Sequence, residues 1–105
     1  MGRYSFYVIV IAILLGSCSS SIQKPKLYTV EIKDMKYVPD DITVNKGDTV
    51  LWINRDMMSH DVTEEGNAWT SSVIPADSSW KMEVAEPSNY YCSIHVVMKG
   101  KIRVQ

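Results

Sequence analysis

The chain has 105 residues, 46% of them hydrophobic, with 11 basic and 12 acidic side chains and a formal net charge of −1. This near balance of charge excludes the strongly basic surface that nucleic-acid-binding domains present. The length suits one small domain whose core is close to the minimum that supports independent folding.

The first 17 residues have the features of an export signal. Arg3 supplies a positive charge near the start, and an apolar run of ten residues extends from Phe6 to Leu15. This run is shorter than the roughly 20 residues needed to cross a bilayer, but it suits a signal-peptide core. It ends in a sequence that resembles a bacterial lipobox, Leu15-Gly16-Ser17-Cys18. The resemblance predicts cleavage before Cys18 and lipidation of that cysteine, with an ordinary cleavage site or an uncleaved anchor as alternatives.

Residues 18–26 are predicted to be the lipidated cysteine and a short polar tether, which includes Pro25. We expect an exported protein, in the periplasm or at the cell surface, that is anchored to a membrane through Cys18. Membrane contact is expected from the lipid and not from a basic protein surface.

Strand signals begin at Leu27. Residues Leu27 to Lys33 alternate, which places Tyr28, Val30 and Ile32 on one face. Residues 36–41 predict a turn or irregular connection. Strands are then expected over residues 42–45 and 48–54, joined by a hairpin turn in which Gly47 supplies the unusual backbone angle.

The second half of the chain continues the strand pattern. Further strands are predicted over residues 59–64, 79–85, 90–92 and 101–104, with an irregular stretch over 69–77 and a turn over 86–89. No stretch of useful length combines a helical period with capping residues. Short strands separated by turn residues predict one all-β sandwich domain over residues 27–105.

Three potential metal ligands lie in the loop before the last strand. Cys92, His95 and Met98 fall at steps of three, and His60 is the only other histidine. Each residue alone is commonplace, since a methionine usually fills a core and a lone cysteine is often a small buried hydrophobe. Together, two imidazoles, one thiolate and a weak axial thioether describe a blue-copper electron-transfer site.

The cysteine count fits this interpretation. Exported proteins with two cysteines often form a disulfide, and Cys18 with Cys92 is the only pair available. Lipidation of Cys18 would exclude that pair and leave Cys92 as an odd thiol in an oxidising compartment. A metal-bound thiolate explains why such a cysteine is kept.

Two stretches resemble the cupredoxin family of blue copper proteins, and within it the plastocyanin and amicyanin-like group. One is the loop from Cys92 to Ile102, and the other runs from Ile42 to Asn54 and on to His60-Asp61-Val62. The resemblance covers residues 28–104. It implies a Greek-key β-sandwich that binds one copper ion at one end through four ligands, His60, Cys92, His95 and Met98.

The resemblance also suggests roles for residues around the ligands. Asp61 stands where relatives commonly have asparagine, and it is expected to brace the ligand loop with Ser93 and to favour Cu(II) through its charge. Ser59 and Ile94 stand where proline is common, which suggests less rigid loops. A surface for partner proteins is expected around the edge of His95, since exposed apolar patches mark such sites; its members are Met57, Met58, Ile94, Val96 and Val97.

The function implied is that of a monomeric electron carrier, not an enzyme, which passes single electrons between unidentified redox partners in the cell envelope. The alternative is copper carriage or storage with the same ligands, in which the thioethers of Met57 and Met58 would help bind Cu(I). A copper enzyme is disfavoured because its additional copper centres need more histidines than His60 and His95. An interaction module without metal is the remaining alternative.

Overall fold

The computed structural model describes Gly2 and residues 24–105. Within the described residues the chain forms eight strands, and no helix there is long and apolar enough to span a membrane. The strands are β1 (Leu27–Lys33), β2 (Lys36–Val38), β3 (Asp41–Val44), β4 (Thr49–Asn54), β5 (Thr63–Glu64), β6 (Ser79–Glu83), β7 (Ser88–Tyr91) and β8 (Lys99–Val104).

The strands form two four-stranded sheets, in the orders β2-β1-β4-β6 and β3-β8-β7-β5. The pairs β1–β4 and β3–β8 are parallel, and the other pairs are antiparallel. Parallel neighbours cannot be joined by a tight hairpin, so the chain crosses between the sheets as it proceeds. The predicted all-β Greek-key sandwich is confirmed.

The core forms where the apolar faces of the two sheets meet. Val30 and Ile32 in β1 and Val50 and Trp52 in β4 are fully buried, as the alternation of those strands predicts, because successive side chains point to opposite faces. Removing each such aliphatic side chain from water contributes about 1.5–3 kcal/mol. Of the other two tryptophans, Trp69 and Trp80 are partly buried and pack against this core.

Two predictions of local structure were wrong. Residues 36–38 form β2 and not an irregular connection, because Tyr37 pairs with Ile32 of β1 and buries its side chain. The turn at Gly47 does not close a hairpin, since β3 and β4 belong to different sheets. Gly47 does adopt a positive φ of 94°, as expected.

Several strands differ in extent from the predictions. The strand predicted over 59–64 is reduced to β5, and His60 makes only an isolated bridge with Ile74. β7 begins at Ser88, within the predicted turn, and β8 begins two residues earlier than predicted.

Asp48 fastens the end of the sandwich remote from the predicted ligands. Its carboxylate accepts hydrogen bonds from the backbone N–H groups of Lys26 (2.9 Å) and Asn45 (2.8 Å). These two bonds hold the pKa of Asp48 below its usual value, because they favour the charged form. The start of β1 is thereby joined to the turn between β3 and β4.

Candidate metal centre

The ligand residues predicted from the sequence lie at one end of the sandwich. His60 follows β4, and two backbone hydrogen bonds join it to Ile74, His60 N–H to the Ile74 carbonyl (3.2 Å) and the reverse (2.7 Å). Cys92 directly follows β7, and His95 and Met98 lie in the loop before β8. The two sheets thus bring distant parts of the sequence together.

The loop between β7 and β8 is fastened by its own backbone. His95 N–H donates to the carbonyl of Cys92 (3.2 Å), and Met98 N–H donates to that of His95 (2.9 Å). Cys92 N–H donates in turn to the carbonyl of Met98 (3.1 Å). These bonds close a tight loop, in which Cys92 and Met98 are buried and His95 is half-buried.

Three donor atoms converge at this end. The Nδ1 atoms of His60 and His95 are 3.2 Å apart, and the Sγ of Cys92 lies 3.9 Å and 3.8 Å from them respectively. Nitrogen and sulfur ligands about 2.0–2.3 Å from one metal ion in a trigonal plane lie about 3.5–4.0 Å apart, with bond lengths typical of zinc. The triangle therefore fits a metal ion, and two imidazoles with a thiolate are a donor set for copper.

The family comparison agrees with this geometry. The model of copper-binding proteins of the plastocyanin/azurin family matches residues 25–105. The chain belongs to this family. Its clustered donors His60, Cys92 and His95, with Met98 buried in the same loop, form a site for one copper ion.

Two of the relatives found are amicyanins. The chain is 30% identical to amicyanin of Paracoccus versutus and 31% identical to amicyanin of Paracoccus denitrificans, each over 83 residues. In both cases the match covers 72% of this chain and 63% of the relative, so the chain spans less than two thirds of the length of these relatives.

Solved structures give the same result. A methionine-to-alanine variant of amicyanin in its Cu(I) form superposes with a TM-score of 0.70 at 30% identity, over 75% of this chain and 82% of that chain. Another Cu(I) amicyanin variant gives a TM-score of 0.71 at 28% identity, over 81% and 88%. The cupredoxin fold expected from the sequence is therefore confirmed.

Asp61 joins the two ligand-bearing segments of this cupredoxin. One oxygen of its buried carboxylate accepts the Ser93 N–H (2.8 Å) and the Thr63 hydroxyl (2.9 Å), and the other accepts the Ser93 hydroxyl. The Asp61 N–H points to the Cys92 Sγ at 3.4 Å. The structure thus brings Asp61 and Ser93 together.

Tyr37 supports the same segment from β2. Its hydroxyl donates to the Asp61 carbonyl oxygen at 2.5 Å. Burial raises the pKa of Tyr37 far above its usual value, and the nearby Cys92 thiol adds to this when it is ionised. The phenol therefore stays neutral and keeps its proton for this hydrogen bond.

The sequence interpretation missed Asp56. Its carboxylate lies 2.8 Å from the Nε2 of His60 and also accepts the backbone N–H groups of Asp34 and Met35. Burial raises the pKa of Asp56, but the hydrogen bonds from these amides and from His60 outweigh it and lower the pKa below its usual value. The only sequence signal for this role is an acidic residue four positions before a histidine. That pattern is too common to identify a functional residue.

The predicted partner surface is exposed. Met57 has 97% and Val97 84% of their surface accessible, and the other three members are between 50% and 62% exposed: Met58, Ile94 and Val96. Three of the five residues flank His95 in the β7–β8 loop. Cys18, the predicted lipidation site, lies outside the described residues.

Proposed function

We propose that this protein carries single electrons between redox partners in the cell envelope. The observation that supports this best is the donor triangle of His60, Cys92 and His95, whose edges of 3.2–3.9 Å suit a metal ion. The two sheets and the tight loop hold these ligand atoms in place before a metal binds. The ligands therefore need little rearrangement when the charge of the site changes.

The four ligands have distinct proposed roles. Cys92 would supply a thiolate, His60 and His95 would supply neutral imidazoles, and Met98 would supply a thioether that helps to set the reduction potential. When bound, copper supplies the one-electron Cu(I)/Cu(II) couple. No bond of a substrate is formed or broken, so the proposed role is that of an electron carrier and not of an enzyme. Both histidines of the chain are used in this one site.

Asp61 and Ser93 are proposed to hold the ligand loop and to influence the potential. The Asp61 carboxylate receives three hydrogen bonds from N–H and O–H donors, which is the pattern expected of an ionised carboxylate. A buried negative charge beside the site favours Cu(II) over Cu(I), because it stabilises the more positive ion. We therefore expect a lower potential than an asparagine would give.

Electrons are proposed to pass at the edge of His95. This ligand is half-buried, whereas His60 and Cys92 have no exposed surface. The exposed apolar side chains around it provide a desolvated contact for partner proteins. The protein is proposed to act as a monomer that meets its donor and acceptor in turn.

A mutation within this surface tests the proposal. Val97→Asp places a charge on a side chain that is 84% exposed, and we expect slower electron self-exchange, measured by NMR line broadening, with an unchanged visible spectrum. The matched control is Leu27→Asp, on a 62% exposed residue at the start of β1, the end of that strand remote from the copper site. Equal self-exchange rates in the two variants would contradict transfer through this surface.

Export and lipid attachment at Cys18 are proposed from the sequence alone. β1 runs from Leu27 towards the copper end, since its last residues pair beside Asn54. A tether that enters at Leu27 would therefore leave the copper end directed away from the membrane. Mass spectrometry of the protein from its native membrane tests this proposal, and an N-terminus other than a diacylated Cys18 would contradict it.

Copper carriage is a second candidate, favoured by the exposure of two thioethers. Met57 is 97% and Met58 54% exposed, and thioethers are soft ligands that suit Cu(I). The rate of copper release to a chelator separates the two functions. A carrier must release the metal readily, whereas an electron carrier must keep it through many redox cycles.

A further inference from the structure

The carboxylate of Asp56 joins a backbone turn to a copper ligand. Its Oδ1 accepts the N–H of Asp34 at 2.7 Å, and its Oδ2 accepts the N–H of Met35 at 3.1 Å. The same Oδ2 lies 2.8 Å from the Nε2 of His60. A single side chain thus connects the β1–β2 turn to an imidazole whose ring is fully buried.

The arrangement specifies which nitrogen of His60 carries the proton. The oxygens of this carboxylate accept hydrogen bonds from the two turn amides, and an ionised carboxylate has no proton to donate. It must therefore accept a hydrogen bond from Nε2 too, so Nε2 is the protonated nitrogen. In the neutral ring the lone pair is then on Nδ1, the atom that faces Cys92 and His95. Hydrogen bonds of this kind fix the tautomer and the orientation of metal-binding histidines.

The loop that carries Asp56 is itself held from within the core. The fully buried side chain of Asn54 accepts the Asp56 N–H (2.9 Å) and donates to the carbonyls of Met58 (2.8 Å) and Ile74 (2.9 Å). The segment between β4 and His60 therefore has little freedom to move Asp56 away from the imidazole.

The turn that Asp56 binds has an unfavourable backbone. Asp34 and Met35 have φ angles of 52° and 60°, and they connect the paired residues Lys33 and Lys36. Two-residue turns with both φ angles positive favour Asn-Gly, and a non-glycine residue in this region is energetically unfavourable. By accepting both turn amides, Asp56 stabilises a conformation that the residues themselves disfavour.

We infer that Asp56 is a positioning residue that holds His60 in the copper-binding tautomer and couples its orientation to the β1–β2 turn. The inference rests on the proposed function, because it assigns His60 as a ligand through Nδ1. Asp56 does not touch the metal in this account. It acts through the proton on Nε2.

Asp56→Asn tests this role. An amide has one oxygen and one NH₂ group, so a donor must face either the imidazole N–H or a turn amide, whichever way the side chain is turned. We expect copper affinity, measured by competition with a Cu(I) chelator, to fall by about 10–100-fold. The matched control is Asp41→Asn, which removes one negative charge from an exposed ion pair with Arg103 and should leave the affinity unchanged.

The tautomer is measured directly by ¹H–¹⁵N NMR of the His60 ring in the metal-free protein. We expect the wild type to carry its proton on Nε2, and Asp56→Asn to show a mixture of tautomers. A wild-type ring protonated on Nδ1, or equal copper affinities in Asp56→Asn and Asp41→Asn, would overturn the inference. If the wild type itself binds no copper, the proposed function fails, while the NMR result still decides the tautomer of His60.

Discussion

Gly100 in β8 is a position where one methyl group should destabilise the sandwich. It pairs across the sheet with Tyr90 of β7, and the tyrosine ring lies over it. A Cβ at Gly100 would be 2.1 Å from Cζ and 2.5 Å from Cε2 of Tyr90, whereas ordinary contact begins near 3.4 Å. The ring is fully buried, with its centroid 5.5 Å from that of Trp52 and 4.8 Å from that of Tyr37, so it has no space to withdraw.

We therefore expect Gly100→Ala to lower the free energy of unfolding by about 3 kcal/mol, the upper end of the range for overpacked cores. For a domain of this size, that loss corresponds to a fall in melting temperature of about 12 °C or more. Urea unfolding followed by tryptophan fluorescence measures it. Gly66→Ala is the control, because its Cβ meets only the flexible carboxylate of Glu64, at 3.0 Å, and a change within about 0.5 kcal/mol is expected.

A double-mutant cycle identifies the cause. Tyr90→Leu removes the ring that the new methyl group would strike, so the double variant should lose less stability than the sum of the two single variants. Additive losses, or a loss below about 1 kcal/mol for Gly100→Ala alone, would refute the steric explanation.

Three further predictions follow from hydrogen bonds of the described residues. Asp61→Asn should raise the reduction potential, measured by voltammetry, because it removes a negative charge beside the ligands; an unchanged potential would remove the electrostatic role. Asp48→Asn should lower the free energy of unfolding at pH 7. The difference from the wild type should shrink as the pH falls below about 4, because a carboxylate with a lowered pKa stabilises the fold only while it is ionised. Urea unfolding at pH 7 and pH 3 checks this, and the same difference at both pH values would contradict it. Tyr37→Phe should cost about 1–3 kcal/mol, since it leaves the buried Asp61 carbonyl without its donor; an unchanged urea midpoint would show that this bond contributes nothing.

The sequence predicted the fold where alternation is regular. β1 and β4 place four side chains in the core as their spacing requires: Val30, Ile32, Val50 and Trp52. A strand with one buried face carries an apolar residue at every second position, and this alternation is visible in the sequence. The sequence prediction failed at β2, whose three residues carry too little periodicity and are stabilised by pairing with β1. It also could not show that β3 and β4 separate, since a turn sequence does not specify which sheet each strand joins.

The site was predictable where chemistry restricts the residue types. The chain has only two histidines, and with a cysteine they leave few other choices of ligand for a copper ion. The structure brings the donor atoms of all three together. Asp56 could not be found in this way, because its role depends on the turn at Asp34 and Met35. That turn is distant from Asp56 in sequence. It lies beside the loop that carries Asp56 because β1 and β4 pair with each other.

The most direct test of the central claim is the visible absorption spectrum of the purified protein after addition of Cu(II), with Cys92→Ser as control. The proposed site predicts an intense blue band in the wild type and its loss in the variant, because the band requires a bond between the Cys92 thiolate and Cu(II). A wild type without the band, with metal absent or loosely held, would contradict the electron-transfer function.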